Sequence, residues 1–407
     1  MGRAFATALL VLAPLGAAAS SDPLAPQQWH LAEVGATAAW GGGRGGGVVV
    51  AVLDTGVDLE HPDLRDRLVE GVDLVDEGTV PDDPQGHGTL VAGIIAATAG
   101  NGQGVAGVAP SARIMPVRVL DAEGRGTPAT VAAGIRWAAD HGASVINLSL
   151  AEAVTHDGAG ASGRRGAEGL VDAQVEQAIR AVAEVGVLVV AAAGNDGRDA
   201  VPYRADLPVL VVGATDRSDH VWPRSNRDTQ VLFAPGVEIL STWNGGRYAK
   251  ADGTSFAAPI VAAGAAILRG QGLATGQARA RLVGAAVRVG SGLGRVDLAA
   301  AVTGVPAPPA VSATQPAVAH KPAASAAAPL VIPVPSPSSA PQPVSPEPPP
   351  ALPPVPVASP PVPSAAPAAV ALHRPTGWPV PAMVIGAVLL LVAGGVWIVS
   401  RSRSGRG

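Results

Sequence analysis

The chain contains no cysteine, so disulfide bonds cannot hold it together, and no His/Cys spacing suggests a zinc site. If it is exported, its stability must come from a large core or from a bound metal. Lysine is nearly absent: Lys250 and Lys321 are the only two. The net charge of −4 comes with no long basic run, which argues against a nucleic-acid partner. The glycine run "GGGRGGG" (41–47) lacks the Lys-Ser/Thr that a phosphate-binding loop requires.

Charge is also missing from three particular stretches. Residues 304–376 carry only Lys321, Glu347 and Arg374, and 25 of the 39 prolines fall between Pro306 and Pro381. Such a Pro/Ala/Val/Ser segment has little to pack with and is expected to be a disordered, polyproline-like spacer. At about 3.1 Å per residue it would reach on the order of 200 Å at most. Residues 1–19 have one arginine, an apolar centre and a small-residue end at Ala17-Ala18-Ala19, the pattern of a secretory signal cut after Ala19. Residues 380–400 include the uncharged run Ala382–Ser400, long enough at about 1.5 Å per residue to cross a bilayer's hydrocarbon. The basic tail 401–407 follows, which predicts a cytoplasmic C-terminus and an extracellular catalytic side.

Between these segments, residues 20–303 alternate short apolar runs with helical patterns. Strands buried on both faces are expected at 47–54, 112–120, 143–150, 186–194 and 207–215. Helices are expected at 87–98, 128–142, 170–186 and 254–272, with glycine near several ends. The alternation implies an α/β fold: a parallel sheet with helices on both faces, functional residues lying beyond the carboxyl ends of its strands. The small, polar, glycine-rich stretch 151–169 reads as a surface loop near that site.

Three reactive side chains stand at such positions. Asp54 ends "VVVAVLD", His87 opens the helix "GHGTLVAGI", and Ser255 opens the helix "DGTSFAAPI". Singly, each has a structural alternative: a turn aspartate, a helix-opening histidine, an N-terminal helix serine. Together they can form a relay in which serine attacks a carbonyl, histidine carries the proton, and aspartate orients the imidazole.

The segments "DTGVDLEHPDL", "GHGTLVAGIIA" and "GTSFAAPIVAAG" resemble the three signatures of subtilisin-like serine proteases, in the same chain order. "GVAP", "VRVLDAEGRG", "VINLSL", "VVAAAGNDG", "FAPGVEILST" and "GLGRVDLAAAV" extend the likeness over most of 29–302. The resemblance implies a serine endopeptidase of subtilisin-like fold whose catalytic residues are Asp54, His87 and Ser255. It implies an oxyanion hole formed by the Asn195 amide and the Ser255 N–H, although Asn195-Asp-Gly also reads as a turn. Ser255 does not lie in the Gly-x-Ser-x-Gly elbow of lipases and esterases.

By the same resemblance, a peptide or protein substrate would pair as a strand with Gly124-Arg125-Gly126 and Ser149-Leu150-Ala151. Ala151 stands where the family usually has glycine, which implies a narrower or displaced pocket wall. Ala192, Ala193 and Gly194 would line the primary specificity pocket and leave room for a bulky apolar residue, while Arg125 would favour an acidic residue further upstream. Asp63 and Asn101 resemble ligands of a family calcium site, with Gln27 or Gln28 adding an oxygen; a turn cap and a glycine-loop asparagine are the structural alternatives.

The layout of signal, protease, proline-rich linker and membrane helix is similar to the mycosins, membrane-anchored subtilases linked to type VII secretion. The missing cysteines depart from them. Within that likeness, a second reading is a mainly structural component of an envelope secretion complex. The stretch 27–40 resembles the start of the catalytic domain, with Trp29 and Trp40 as packing anchors. Only about seven residues (20–26) separate it from the expected cleavage point, too few for an inhibitory pro-domain.

Overall fold

The structure, a computed structural model, describes residues 22–150, 171–304 and 330–332. The expected signal, membrane segment, tail, most of the linker and the loop 151–169, with Ala151, lie outside the described residues. In chain order the elements are α1 (Trp29–Glu33), α2 (Ala36–Ala39), β1 (Val49–Asp54), β2 (Val72–Asp73), α3 (His87–Ala96), β3 (Arg113–Arg118), α4 (Pro128–Asp140), β4 (Val145–Leu148), α5 (Ala173–Glu184), β5 (Leu188–Ala192) and β6 (Val209–Thr215). There follow β7 (Leu232–Pro235), β8 (Ile239–Trp243), β9 (Arg247–Ala251), α6 (Thr254–Gly270), α7 (Thr275–Gly284), β10 (Gly294–Arg295), α8 (Leu298–Thr303) and β11 (Leu330–Ile332).

Eight strands form one sheet in the order β10-β7-β6-β5-β4-β1-β3-β2, every pair parallel. Alternation along β1 explains why the sheet needs cover on both sides. Val50 and Val52 join one apolar cluster with residues of α3 and α6, whereas Ala51 and Leu53 join a second with residues of α4 and α5. From β1 the chain passes to β3 on one side and then returns to β4 on the other. That reversal opens a crevice beyond the strand ends at Asp54 and Leu148.

The N-terminal segment closes one side of the core. Trp40 is buried and donates to the Val108 carbonyl (2.9 Å), and Trp29 donates to the Val237 carbonyl (3.2 Å). Both act as packing anchors. Arg295 of β10 reaches back to Glu33 (3.1 Å) and Asp219 (2.7 Å), joining distant parts of the chain through a nearly buried ion-pair cluster. His30 is buried, and burial with the nearby Arg217 charge lowers its pKa to about 3, so it stays neutral.

Two features depart from the expectation. β8 and β9 form an antiparallel hairpin, joined through Asn244–Gly246, that packs on α3. Leu330–Ile332, expected to be part of an unstructured spacer, instead pairs antiparallel with β9. Three consecutive aliphatic residues with strand propensity supply what the surrounding prolines cannot. Among the described residues no helix is long and apolar enough to cross a membrane.

Leu53 is fully buried immediately before Asp54. Leu53→Ala should lower unfolding stability by about 2–5 kcal/mol, measured by denaturant titration in the Ser255→Ala background so that self-cleavage plays no part.

Candidate active site

Asp54 ends β1 fully buried, and its Oδ1 accepts a hydrogen bond of 2.7 Å from His87 Nδ1 and one of 2.8 Å from the Thr55 N–H. The carboxylate therefore holds the proton on Nδ1 and leaves Nε2 as the basic nitrogen. Burial opposes a charge on His87, but the Asp54 carboxylate, its hydrogen bond and the nearby Asp83 charge outweigh that penalty. The pKa of His87 is raised above the ordinary histidine value, so its protonated form persists to higher pH than in solvent.

His87 is positioned by a network the sequence reading missed. Asp83, buried, accepts from Thr55 Oγ1 (2.8 Å), the Gln85 and Gly86 N–H groups (2.9 and 2.8 Å), and Thr89 N and Oγ1 (2.9 and 2.6 Å). Thr55 Oγ1 accepts in turn from the Gly88 N–H (3.1 Å). One carboxylate thus ties the loop after β1 to the first turn of α3, where free N–H groups and the helix dipole favour an anion. The helix comes so close that a Cβ on Gly88 would lie 2.1 Å from the Gly56 carbonyl oxygen. Its signal in the sequence was an aspartate four residues before the histidine.

Ser255 is the second residue of α6. Pro259 has no N–H to give the Ser255 carbonyl its helical partner. Ser149 Oγ supplies the missing bond at 2.7 Å, and Asn147 Nδ2 donates to that same hydroxyl at 2.9 Å. The Ser255 hydroxyl donates to the Ser149 carbonyl at 3.2 Å. The Phe256 ring lies 5.3 Å from the His87 ring, so the starts of α3 and α6 are neighbours.

Asn195 follows β5. Its Oδ1 accepts from the Thr254 N–H (2.9 Å) and Oγ1 (3.0 Å). Because a backbone N–H only donates, the atom it meets must be the amide oxygen. The amide NH₂ is therefore turned away from Thr254, with its two N–H groups left to donate. Strand ends β1, β4 and β5 and helix starts α3 and α6 thus bring Asp54, His87, Ser149, Asn195 and Ser255 to one edge of the sheet.

The expected substrate-contact residues fare unevenly. Ser149 and Leu150 extend from β4, while Gly124 takes a positive φ of 75° in a turn held by Asp121. Arg125 is engaged by Asp121 (2.9 Å) and Glu123 (2.8 Å), so it is not the lone positive charge that would select an acidic residue. Ala192 and Ala193 are fully buried in the two core clusters, which removes their side chains from the lining of an open pocket. Gly194, also buried, donates its N–H to Thr254 Oγ1 (3.1 Å).

At the expected cation site, Asp63 is buried and accepts from Asn101 Nδ2 (2.9 Å), the Val105 N–H (3.0 Å) and the Tyr248 hydroxyl (3.0 Å). Gln28 is committed elsewhere, donating to the Ala106 carbonyl (2.9 Å) and accepting from the Ala106 N–H (2.8 Å), and Gln27 is exposed. The residue that joins the loop from the N-terminal side is Asp22, which accepts from the Gly100 (2.8 Å) and Gly102 (3.1 Å) N–H groups. Among the described residues no group of three or more His, Asp or Glu side chains gathers as a metal cluster.

A family model described as the subtilase family matches residues 45–305. The chain is 40% identical to thermitase of Thermoactinomyces vulgaris over 272 residues, 66% of this chain and 88% of that protein. It is 41% identical to subtilisin BL of Lederbergia lenta over 244 residues, 59% of this chain and 83% of the relative. A solved protease structure from Pseudoalteromonas arctica PAMC 21717 is similar with a TM-score of 0.61 and 31% identity, covering 70% of this chain and 99% of the other.

Nuclear magnetic resonance titration of the Ser255→Ala protein should give His87 a midpoint above that of a solvated histidine. Asp54→Asn should lower that midpoint, and Asp83→Asn should lower it by a smaller amount. A midpoint unmoved by Asp54→Asn would remove the electrostatic account of this site.

Proposed function

Since this chain belongs to the subtilase family and is a serine endopeptidase, we propose that Ser255, His87 and Asp54 are its nucleophile, general base and orienting acid. The observation that carries the assignment is the 2.7 Å hydrogen bond from His87 Nδ1 to the buried Asp54 carboxylate. With that proton fixed, Nε2 takes the hydroxyl proton of Ser255 as Oγ attacks the scissile carbonyl, and returns it to the leaving amine. The Ser255 hydroxyl turns from the Ser149 carbonyl toward Nε2 when substrate is bound, since such contacts tighten only in the reactive complex.

The developing oxyanion takes its hydrogen bonds from the Asn195 NH₂ and the Ser255 N–H at the positive end of α6. The Thr254 contacts support this role by holding the Asn195 oxygen away. Extended substrate adds beside Ser149-Leu150 and the Gly124–Gly126 segment through main-chain hydrogen bonds.

Calcium is the cation that suits the cluster of Asp22, Asp63 and Asn101. Two buried carboxylates beside a glycine-rich loop are the oxygen donors it prefers, and Asn101, whose Nδ2 meets Asp63 at 2.9 Å, would add its oxygen by turning the amide over. Bound there, it would tie the N-terminal segment to the loop 100–105 and stabilise the fold without entering the chemistry.

The domain plan extends the reading: signal 1–19, peptidase 20–303, linker 304–376, membrane helix 380–400 and tail 401–407, which puts a tethered protease outside the cell. The composition of the ends supports that plan, and its likeness to the mycosin layout supports a link to type VII secretion. A structural role in an envelope complex is the alternative. Mapping new protein termini in envelope and medium, with and without Ser255→Ala, names the substrate and separates the two readings. Termini that do not depend on Ser255 would favour the structural role.

Ser255→Ala should reduce peptidase turnover by on the order of 10⁶, and Asn195→Ala by about 10²–10³, figures carried over from subtilisin; steady-state kinetics on a peptide amide checks both. Chelation should lower the melting temperature, and calcium at a hundred times its Kd should restore about 2.7 kcal/mol. An identical melting temperature with chelator and with calcium would remove calcium from the account.

A further inference from the structure

Within 305–376, Leu330-Val331-Ile332 is the only run of three large aliphatic residues, and Ile332 is the only isoleucine. Pro329 and Pro333 bracket it. Proline has no N–H for a ladder, so the brackets limit any strand here to the tripeptide between them. The tripeptide is paired in register: Leu330 opposite Lys250, Val331 opposite Ala249, Ile332 opposite Tyr248. Without it β9 would be the edge of its sheet, with one row of backbone groups open to another strand.

The hairpin behind that edge is not a passive surface. Ser241 and Thr242 of β8 donate to the Leu90 and Thr89 carbonyls of α3 at 2.9 and 2.7 Å. The Trp243 ring fills the space beside Gly86, where a Cβ would lie 2.5 Å from it. On β9, Tyr248 donates to Asp63 and meets the His61 ring edge-on at 5.4 Å. The hairpin therefore backs both the helix that begins with His87 and the Asp63 loop.

We propose that the outer edge of β9 is a docking site for this chain's own linker, which adds Leu330–Ile332 as a third strand and so fastens the proline-rich segment to the hairpin behind His87. Recognition is by main-chain hydrogen bonds, as in other β-additions, so it needs N–H groups and extended backbone more than particular side chains. The 26 residues 304–329 separate α8 from the docking strand. Because closure entropy grows only logarithmically with length, a loop of this size still keeps the strand at an effective concentration on the order of millimolar. The linker is then fastened to the catalytic domain as far as Ile332.

The experiment is hydrogen–deuterium exchange on the full chain carrying Ser255→Ala, which separates docking from any question of catalysis. The backbone groups of Ala249 face β8 and those of Tyr248 and Lys250 face outward, so the docking strand donates to β9 from Leu330 and Ile332. Ile332→Pro removes such a ladder N–H and should speed exchange of the outward amides of β9 on the order of tenfold or more, with β1 and β4 unchanged. Ile332→Thr keeps both the N–H and the strand preference and should exchange as the parent does. Equal β9 protection in the parent and Ile332→Pro would overturn the proposal. So would equal loss in Ile332→Pro and Ile332→Thr, because the effect would then not come from the backbone. Protection in the parent that falls on dilution would assign the third strand to a second copy of the chain and overturn the intramolecular form.

Discussion

The hydrogen bond between Asp54 and His87 is the constraint on which the rest of the site depends. It demands a carboxylate buried at the end of β1 and an imidazole delivered to it by a helix from elsewhere. A parallel sheet provides the first, since its central strands are covered on both faces up to their carboxyl ends. The second falls to Asp83, whose carboxylate gathers Thr55, Gly86 and Thr89 and thereby fixes the first turn of α3 against the loop after β1. The same two carboxylates raise the pKa of His87, so geometry and charge have one origin.

Ser255 reaches the site through a different compensation. A proline within α6 leaves the Ser255 carbonyl without its helical donor, and Ser149 from the end of β4 fills the vacancy. The Ser255 backbone is in this way tied to a segment that would receive substrate. Thr254, one residue earlier, orients Asn195. Two groups at the start of α6, the Thr254 N–H and the Ser255 carbonyl, are thus used to hold neighbouring segments in place.

Much of this was legible in the sequence for physical reasons. Strands buried on both faces leave uninterrupted runs such as "VVVAVLD", and helices opening on His87 and Ser255 stand out beside glycine. β8 and β9 did not stand out, because residues such as Ser241, Thr242 and Lys250 break the apolar pattern. Their Asn244-Gly245-Gly246 connection was nevertheless a readable hairpin signal, with both glycines at positive φ. Asp22 was illegible for another reason: it acts on a loop far from itself in sequence, and periodicity carries no trace of that. Asp83 left only its place four residues before His87, because its reach to Thr55 across the fold has no local pattern. The burial of Ala192 and Ala193 likewise comes from packing neighbours that no local reading of their segment includes. The partners of Arg125 were legible, since Asp121 and Glu123 stand in its own segment.

The most direct measurement of the central claim is covalent labelling with a fluorophosphonate, mapped by mass spectrometry. The account predicts one adduct per chain, on Ser255, formed faster as pH rises through the raised His87 pKa and nearly abolished by His87→Ala. Labelling on another residue, or labelling of Ser255 that is indifferent to His87, would contradict it.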